Sequence, residues 1–285
     1  MNTVFFRSRS ILWICLFIFI CNPLSAAIIH APHLDVLEKQ ISHLDENALV
    51  VFDVDCTLII PNDRILAPCG KKHLEKFVKK HQNLPQDRQE LMKSIVISGK
   101  ASLVEKDIVR ILTQLKQRKI KTIALTAIPP GKLGVIPNVE EWRVNQLASF
   151  GIDFSWSFPE LDAFRLDCFN GKPPAFKQGI LFSGNHSKGS VLCAFLDTIH
   201  WKPSNVFFID DRLSYIHSVE NELAKENIAH TSFHYTAALD QPNKLNKKLA
   251  NFQLENLLQK GTWLSDEMVI RLKDEQKNKP DHGRH

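Results

Sequence analysis

One stretch, residues 48–58 with the sequence ALVVFDVDCTL, constrains this chain more than any other. Ala48 to Phe52 form an unbroken apolar run, the pattern of a strand buried on both faces. Asp53 and Asp55 follow two residues apart, with Thr57 just beyond. A buried strand that ends in acids costs desolvation energy unless hydrogen bonds or a cation meet them. In an open parallel sheet, ligands bind outside the carboxyl ends of the strands. The position itself therefore marks a site.

Three more pieces follow the same rule. Residues 121–125 form a second apolar strand candidate that ends in Thr126. Ser187 is an N-cap residue type, and it places Lys188 in the first turn of the helix-like run SKGSVLCAFLDTI. Residues 205–209 form a third apolar run, ending in Asp210 and Asp211.

Read in order, DVDCT, LT, K and DD resemble the haloacid dehalogenase (HAD) superfamily of phosphotransferases, over roughly residues 48–228. Within it, the chain is most similar to an uncharacterised exported HAD-like group of Gram-negative bacteria. The resemblance implies an α/β fold: a Rossmann-like doubly wound parallel sheet with helices on both faces. A small, mostly helical insert follows the first motif, either as a cap over the strand ends or as a helical decoration.

The chemistry such a site performs needs these residue types. A phosphate monoester repels an anionic nucleophile, so attack requires a positioned nucleophile, a cation and donors aimed at the phosphoryl oxygens. By resemblance, Asp53 attacks phosphorus and forms an aspartyl-phosphate, and Asp55 protonates the leaving oxygen and later activates water. Thr126 and Lys188 hold the phosphoryl oxygens. The implied cofactor is Mg²⁺, bound by Asp53, by the main-chain carbonyl of Asp55 and by the final acid pair. Asp210 is favoured as the direct ligand, with Asp211 as a second ligand or its neighbour. The chain departs from the pattern in two places: Cys56 stands between Asp55 and Thr57, and Ala127, Ile128 and Pro129 stand where related phosphatases place a basic or amide residue.

The amino terminus has the layout of a signal peptide over residues 1–27: Arg7 and Arg9, an apolar run over 11–20, then small residues before position 28. Export to the periplasm or beyond is the expectation, with no stable membrane span after cleavage. Removing that segment takes away two arginines and no acid, so the formal charge of +5 falls by two. No basic block with interleaved aromatics remains, so nucleic-acid binding is not expected. The chain then divides into a core over 28–240 with inserts at about 60–100 and 128–186, helices over 241–273 and a polar tail over 274–285.

Local patterns complete the reading. Leu34, Leu37, Ile41 and Leu44 mark a leading helix, and the first insert reads as helical. Ser102 and Glu105 form a capping-box signature for the helix that carries Ile108, Ile111, Leu112 and Leu115. Phe164 to Phe182 reads as a hairpin turning at Asn170 and Gly171. Cys56, Cys69, Cys168 and Cys193 show no CxxC spacing, which argues against zinc. Cys69 and Cys168 are expected to approach each other near the site mouth and pair on export. The functional expectation is an exported Mg²⁺-dependent phosphomonoesterase acting on a small phosphorylated substrate. The alternative is an exported HAD-scaffold binding or effector protein with little or no turnover.

Overall fold

The computed structural model describes residues 28–239 and 244–277. The expected signal peptide and residues 278–285 of the expected tail lie outside the described residues. The chain begins with β1 (Ile28–Ala31), α1 (Leu34–Ile41) and β2 (Leu49–Phe52). The first insert holds β3 (Ile59–Pro61), α2 (Lys71–Lys80), α3 (Gln86–Ile97) and β4 (Ala101–Leu103). Then come α4 (Ile108–Gln117), β5 (Lys121–Thr126) and α5 (Val139–Ala148). Three short strands follow: β6 (Ala163–Arg165), β7 (Ala175–Lys177) and β8 (Ile180–Phe182). The remainder is α6 (Lys188–Thr198), β9 (Val206–Asp210), α7 (Leu213–Lys225), β10 (His230–Tyr235), α8 (Lys247–Lys260) and α9 (Asp266–Lys277).

Eight strands make one sheet in the order β1-β10-β9-β2-β5-β8-β7-β6. From β1 to β8 all neighbours run parallel, and β7 and β6 add an antiparallel edge. β2 is central, and its two faces explain its unbroken apolar run. Val50 and Phe52 join the core that includes Leu37, Ile111 and Leu147 of α1, α4 and α5. Leu49 and Val51 point the other way, to the core that includes Val191, Phe195 and Val219 of α6 and α7. Full burial of such a side chain is worth about 1.5–3 kcal/mol, so a charge at Val51 would break the centre of the sheet. The fold is the expected α/β sheet wound on both faces.

Several local expectations are corrected. Ser102 and Glu105 do not cap a helix. Ser102 lies in β4, which pairs antiparallel with β3, and its hydroxyl donates to Asn62 at 2.7 Å. Glu105 instead accepts from the Leu34 N–H at 3.0 Å and from the Tyr235 hydroxyl. The helix starts later, at Ile108. The first insert is therefore closed by a two-stranded stem as well as being helical. The 163–182 hairpin is a double one: Gln178 (φ 46°) and Gly179 (φ 81°) make a second tight turn, and a Cβ at Gly179 would lie 2.4 Å from the Phe154 carbonyl. Residues 274–277 continue α9 instead of starting a tail. Cys69 and Cys168 are unbridged. The Cys69 thiol donates to the Arg64 carbonyl at 3.3 Å, within its own insert.

The insert and the carboxyl-terminal helices share a small core of Ile65, Ala250 and Leu254, packed by Leu74, Phe77 and Trp263. Asp63 fastens it. Its Oδ2 accepts from Trp263 Nε1 at 2.6 Å and its Oδ1 from the Asp266 N–H at 2.8 Å. Asp266 accepts in turn from the Arg64 N–H at 3.1 Å and from Gln253 Nε2 at 2.9 Å. Among the described residues, no helix is long and apolar enough to cross a membrane.

Candidate functional site

Parallel pairing carries the ends of β2, β5 and β9 to one edge. Phe52 stands opposite Ile209 on one side and Ala124 on the other, so Asp53, Asp210 and Thr126 emerge close together. The Asp53 N–H donates to the Ile209 carbonyl at 2.8 Å, which fixes the carboxylate's origin.

Lys188 arrives from the start of α6, where the Ser187 hydroxyl accepts from the Ser190 N–H. Gly189 lets that helix sit against α7, because a Cβ there would lie 2.1 Å from the Ser218 carbonyl oxygen. Lys188 Nζ lies 2.5 Å from Asp53 Oδ1 and 2.7 Å from Asp210 Oδ2, and 4.5 Å from the centre of the Tyr215 ring. Burial works against the ammonium, but Asp210 and Asp53 outweigh it and hold its pKa above the ordinary lysine value.

Burial pushes the Asp53 carboxyl up to about 7; Lys188 pulls it back, and Asp210 and Asp55 push further. Burial and Asp53 push Asp211 up to about 6. Burial also raises Asp210, against the pull of Lys188. Oxygens of Asp53, Asp210 and Asp211 all lie within 4.8 Å of one another. Asp53 Oδ2 is buried and has no hydrogen-bond partner. Asp53 and Asp210 share Lys188, the Arg212 N–H donates to Asp210 Oδ1 at 2.8 Å, and the charges of Arg212 and Lys188 draw on Asp211, while Asp53 Oδ2 alone of the trio's oxygens is buried without a partner. A hard divalent cation suits that donor set.

Asp55 stands apart from this trio. Its side chain is 47% exposed, and both oxygens meet one nitrogen of Arg143, at 2.9 and 3.1 Å. Thr126 Oγ1 donates to Asp55 Oδ2 at 3.3 Å and accepts from the Ile128 N–H at 3.3 Å. The first motif bends sharply here. Cys56 adopts φ 70°, its N–H donates to the Ile59 carbonyl at 2.7 Å, and Asp55 bridges to Ile59. A side chain rarely takes that conformation outside a constrained site. Burial raises the Cys56 thiol's pKa, so it stays neutral and fills space. Thr57 is buried, and its hydroxyl has no partner.

All six residues singled out from the sequence thus gather at one sheet edge. Arg143 is the participant that the motif reading missed. It is buried in α5, donates to Gln146 Oε1 at 2.6 Å and lies 4.8 Å from the Trp142 ring centre. It brings to Asp55 the basic group that the segment after Thr126 lacks. The signal was present: Val139, Arg143 and Leu147 recur four residues apart on the buried face of α5.

Residues 30–270 match the family described as "Protein of unknown function (DUF2608)". An uncharacterised protein of Rickettsia prowazekii is 22% identical over 239 residues, which cover 83% of this chain and 86% of the relative. An uncharacterised protein of Rickettsia felis is 31% identical over 153 residues, 52% of each chain. A second from Rickettsia prowazekii is 30% identical over 161 residues, 54% of each chain. The chain spans about half the length of these last two.

Proposed function

The chain belongs to the DUF2608 family of proteins of unknown function, and from the chemistry of its acidic edge we propose that it is a HAD-like, Mg²⁺-dependent phosphomonoesterase. One observation carries the reading: Asp53 is buried with one oxygen on Lys188, the other oxygen unpartnered, and two more acids beside it. A purely structural aspartate does not need that surrounding.

In this proposal Asp53 attacks phosphorus. The bond to the leaving oxygen breaks as the Asp53–phosphorus bond forms, giving an aspartyl-phosphate. Asp55 gives its proton to the leaving oxygen; being half exposed, it also has a path to solvent. In the second step Asp55 takes a proton from water as the water oxygen bonds to phosphorus and Asp53 is released. Arg143 holds Asp55 in place, and on substrate binding the Thr126 hydroxyl turns its proton from Asp55 to a phosphoryl oxygen, with Lys188 donating to another. Mg²⁺, held by Asp53, Asp210, Asp211 and the Asp55 main-chain carbonyl, would supply positive charge against the carboxylates and the phosphoryl group.

The test is hydrolysis of an aryl phosphate by the purified chain. Turnover with Mg²⁺, its loss in chelator, and acid-stable but hydroxylamine-labile ³²P on the protein are the expected results. Turnover that ignores chelator would overturn the mechanism. Absence of turnover on every phosphomonoester tried, with the fold intact, would leave a HAD-scaffold binding protein as the better account.

A further inference from the structure

A cavity of about 550 Å³ opens between α2, α3 and α8. Its walls are mainly aliphatic: Met92, Val96, Leu133, Leu254 and Leu257, with Phe77 among them. That volume suits a small organic molecule. Two wall residues tie it to the site. Pro129 lies three positions after Thr126 and Asn185 three before Lys188, so each is within about 11 Å along the chain of a residue facing the acids. The loop after Thr126 is also fastened to α3. The Val135 N–H donates to Ser94 Oγ at 3.0 Å, and a Cβ at Gly134 would lie 2.2 Å from that oxygen.

The polar groups on the wall are largely committed elsewhere. Gln89 donates to the Gln82 and Leu84 carbonyls, Gln86 to Glu90, and the His81 ring meets the Phe77 carbonyl. A polyhydroxylated sugar would leave its hydroxyls without partners there, at a cost for each.

We propose that this cavity takes the aliphatic part of an amphiphilic phosphate monoester whose phosphoryl group sits at Asp53, Thr126 and Lys188. The assignment rests on the phosphomonoesterase reading for its reacting end and on the apolar walls for its tail. Val78, 57% exposed on the α2 wall, offers further apolar surface to such a chain.

Two matched series test it with the full chain and Mg²⁺: hydrolysis of ethyl, butyl, hexyl and octyl phosphate, and calorimetric binding of the corresponding non-hydrolysable alkyl phosphonates. Both kcat/KM and affinity should climb with chain length, by up to about fourfold per methylene, the equivalent of ~0.8 kcal/mol. Val78→Glu should lower the octyl-to-ethyl ratio at least tenfold in both series. Turnover without length dependence would overturn the cavity assignment and spare the phosphatase reading. Length-dependent binding without any turnover would do the reverse. Flat series together with concentration-dependent dimerisation, lost in Val78→Glu, would mean that a second copy covers the walls, and the proposal would fall.

Discussion

Asp53 and Asp63 are close in sequence and each is only 4% exposed, yet their surroundings differ in kind. Asp63 spends both oxygens on neutral donors of its own chain, Trp263 Nε1 and the Asp266 N–H. Asp53 spends one on Lys188, keeps the other unpartnered and faces Asp210 and Asp211. Burial raises the pKa of both carboxyls, and at Asp63 those two donors pull it back. Depth alone therefore does not separate a structural acid from the one proposed as the nucleophile. The completeness of the hydrogen bonding does.

The same amide substitution at the two positions should break the comparison open. Asp53→Asn should lower aryl phosphate hydrolysis by about 10⁴-fold or more, since it removes the nucleophile. Above pH 7 in chelator it should also raise the melting temperature, because the variant has no carboxylate to ionise among Asp210 and Asp211. Asp63→Asn turns an acceptor into a donor that faces another donor, which should cost about 1–3 kcal/mol of stability. Its turnover per folded molecule should stay at the wild-type level. Kinetics and denaturant titrations on both variants decide the matter; an unstable Asp53→Asn or an inactive but stable Asp63→Asn would contradict it.

Asp55→Asn should slow both proton-transfer steps, each by about 10²–10⁴-fold, with little effect on the fold of a half-exposed side chain. Arg143→Met removes the group that holds Asp55 and should cost roughly 10²-fold in kcat through misplacement. Lysine at this position should not restore the rate, because one ammonium cannot hold Gln146 and Asp55 at the same time as the two guanidinium nitrogens do. A rate for Arg143→Met equal to wild type would make Arg143 a packing residue only.

The smallest expected effect is on stability against pH. In chelator, folded Asp53 keeps its proton up to about pH 7, whereas an unfolded aspartate has released it near its ordinary value of 3.8. The folded state binds more protons between those limits, so stability should fall as pH rises from about 4 to about 7 and level off above. Urea midpoints for wild type and Asp53→Asn isolate this contribution, since the variant lacks it. Parallel slopes would show that Asp53 does not titrate in that window.

How much of this was legible in the sequence depended on the range of the contacts. β2, β5 and β9 were legible because each carries an apolar run, LVVF, IAL and VFFI, that leads into a polar residue. Their parallel register then brings Asp53, Thr126, Asp210 and Asp211 to one edge without further information. Arg143 was hidden because a charge inside an apolar stripe reads as surface until its partner is known, and that partner, Asp55, is 88 positions away. The partners of Asp63 are 200 and 203 positions away, so its role also needed the structure. Ser102 to Glu105 misled for the opposite reason. A local pattern that satisfies a capping rule gave way to β4 pairing and to the bonds Glu105 makes with Leu34 and Tyr235.

β1 closes the far edge of the sheet by pairing with β10, and His30 meets Thr236 across 206 positions. On a ribosome adding about 5–20 residues per second, some 10–40 s pass between the appearance of the two strands. Throughout that interval the paired isoleucines at positions 28 and 29 are an open strand edge, able to recruit the wrong neighbour. How much of the chain reaches this fold then depends partly on what shields that edge during synthesis, well before β9 and β10 are in place.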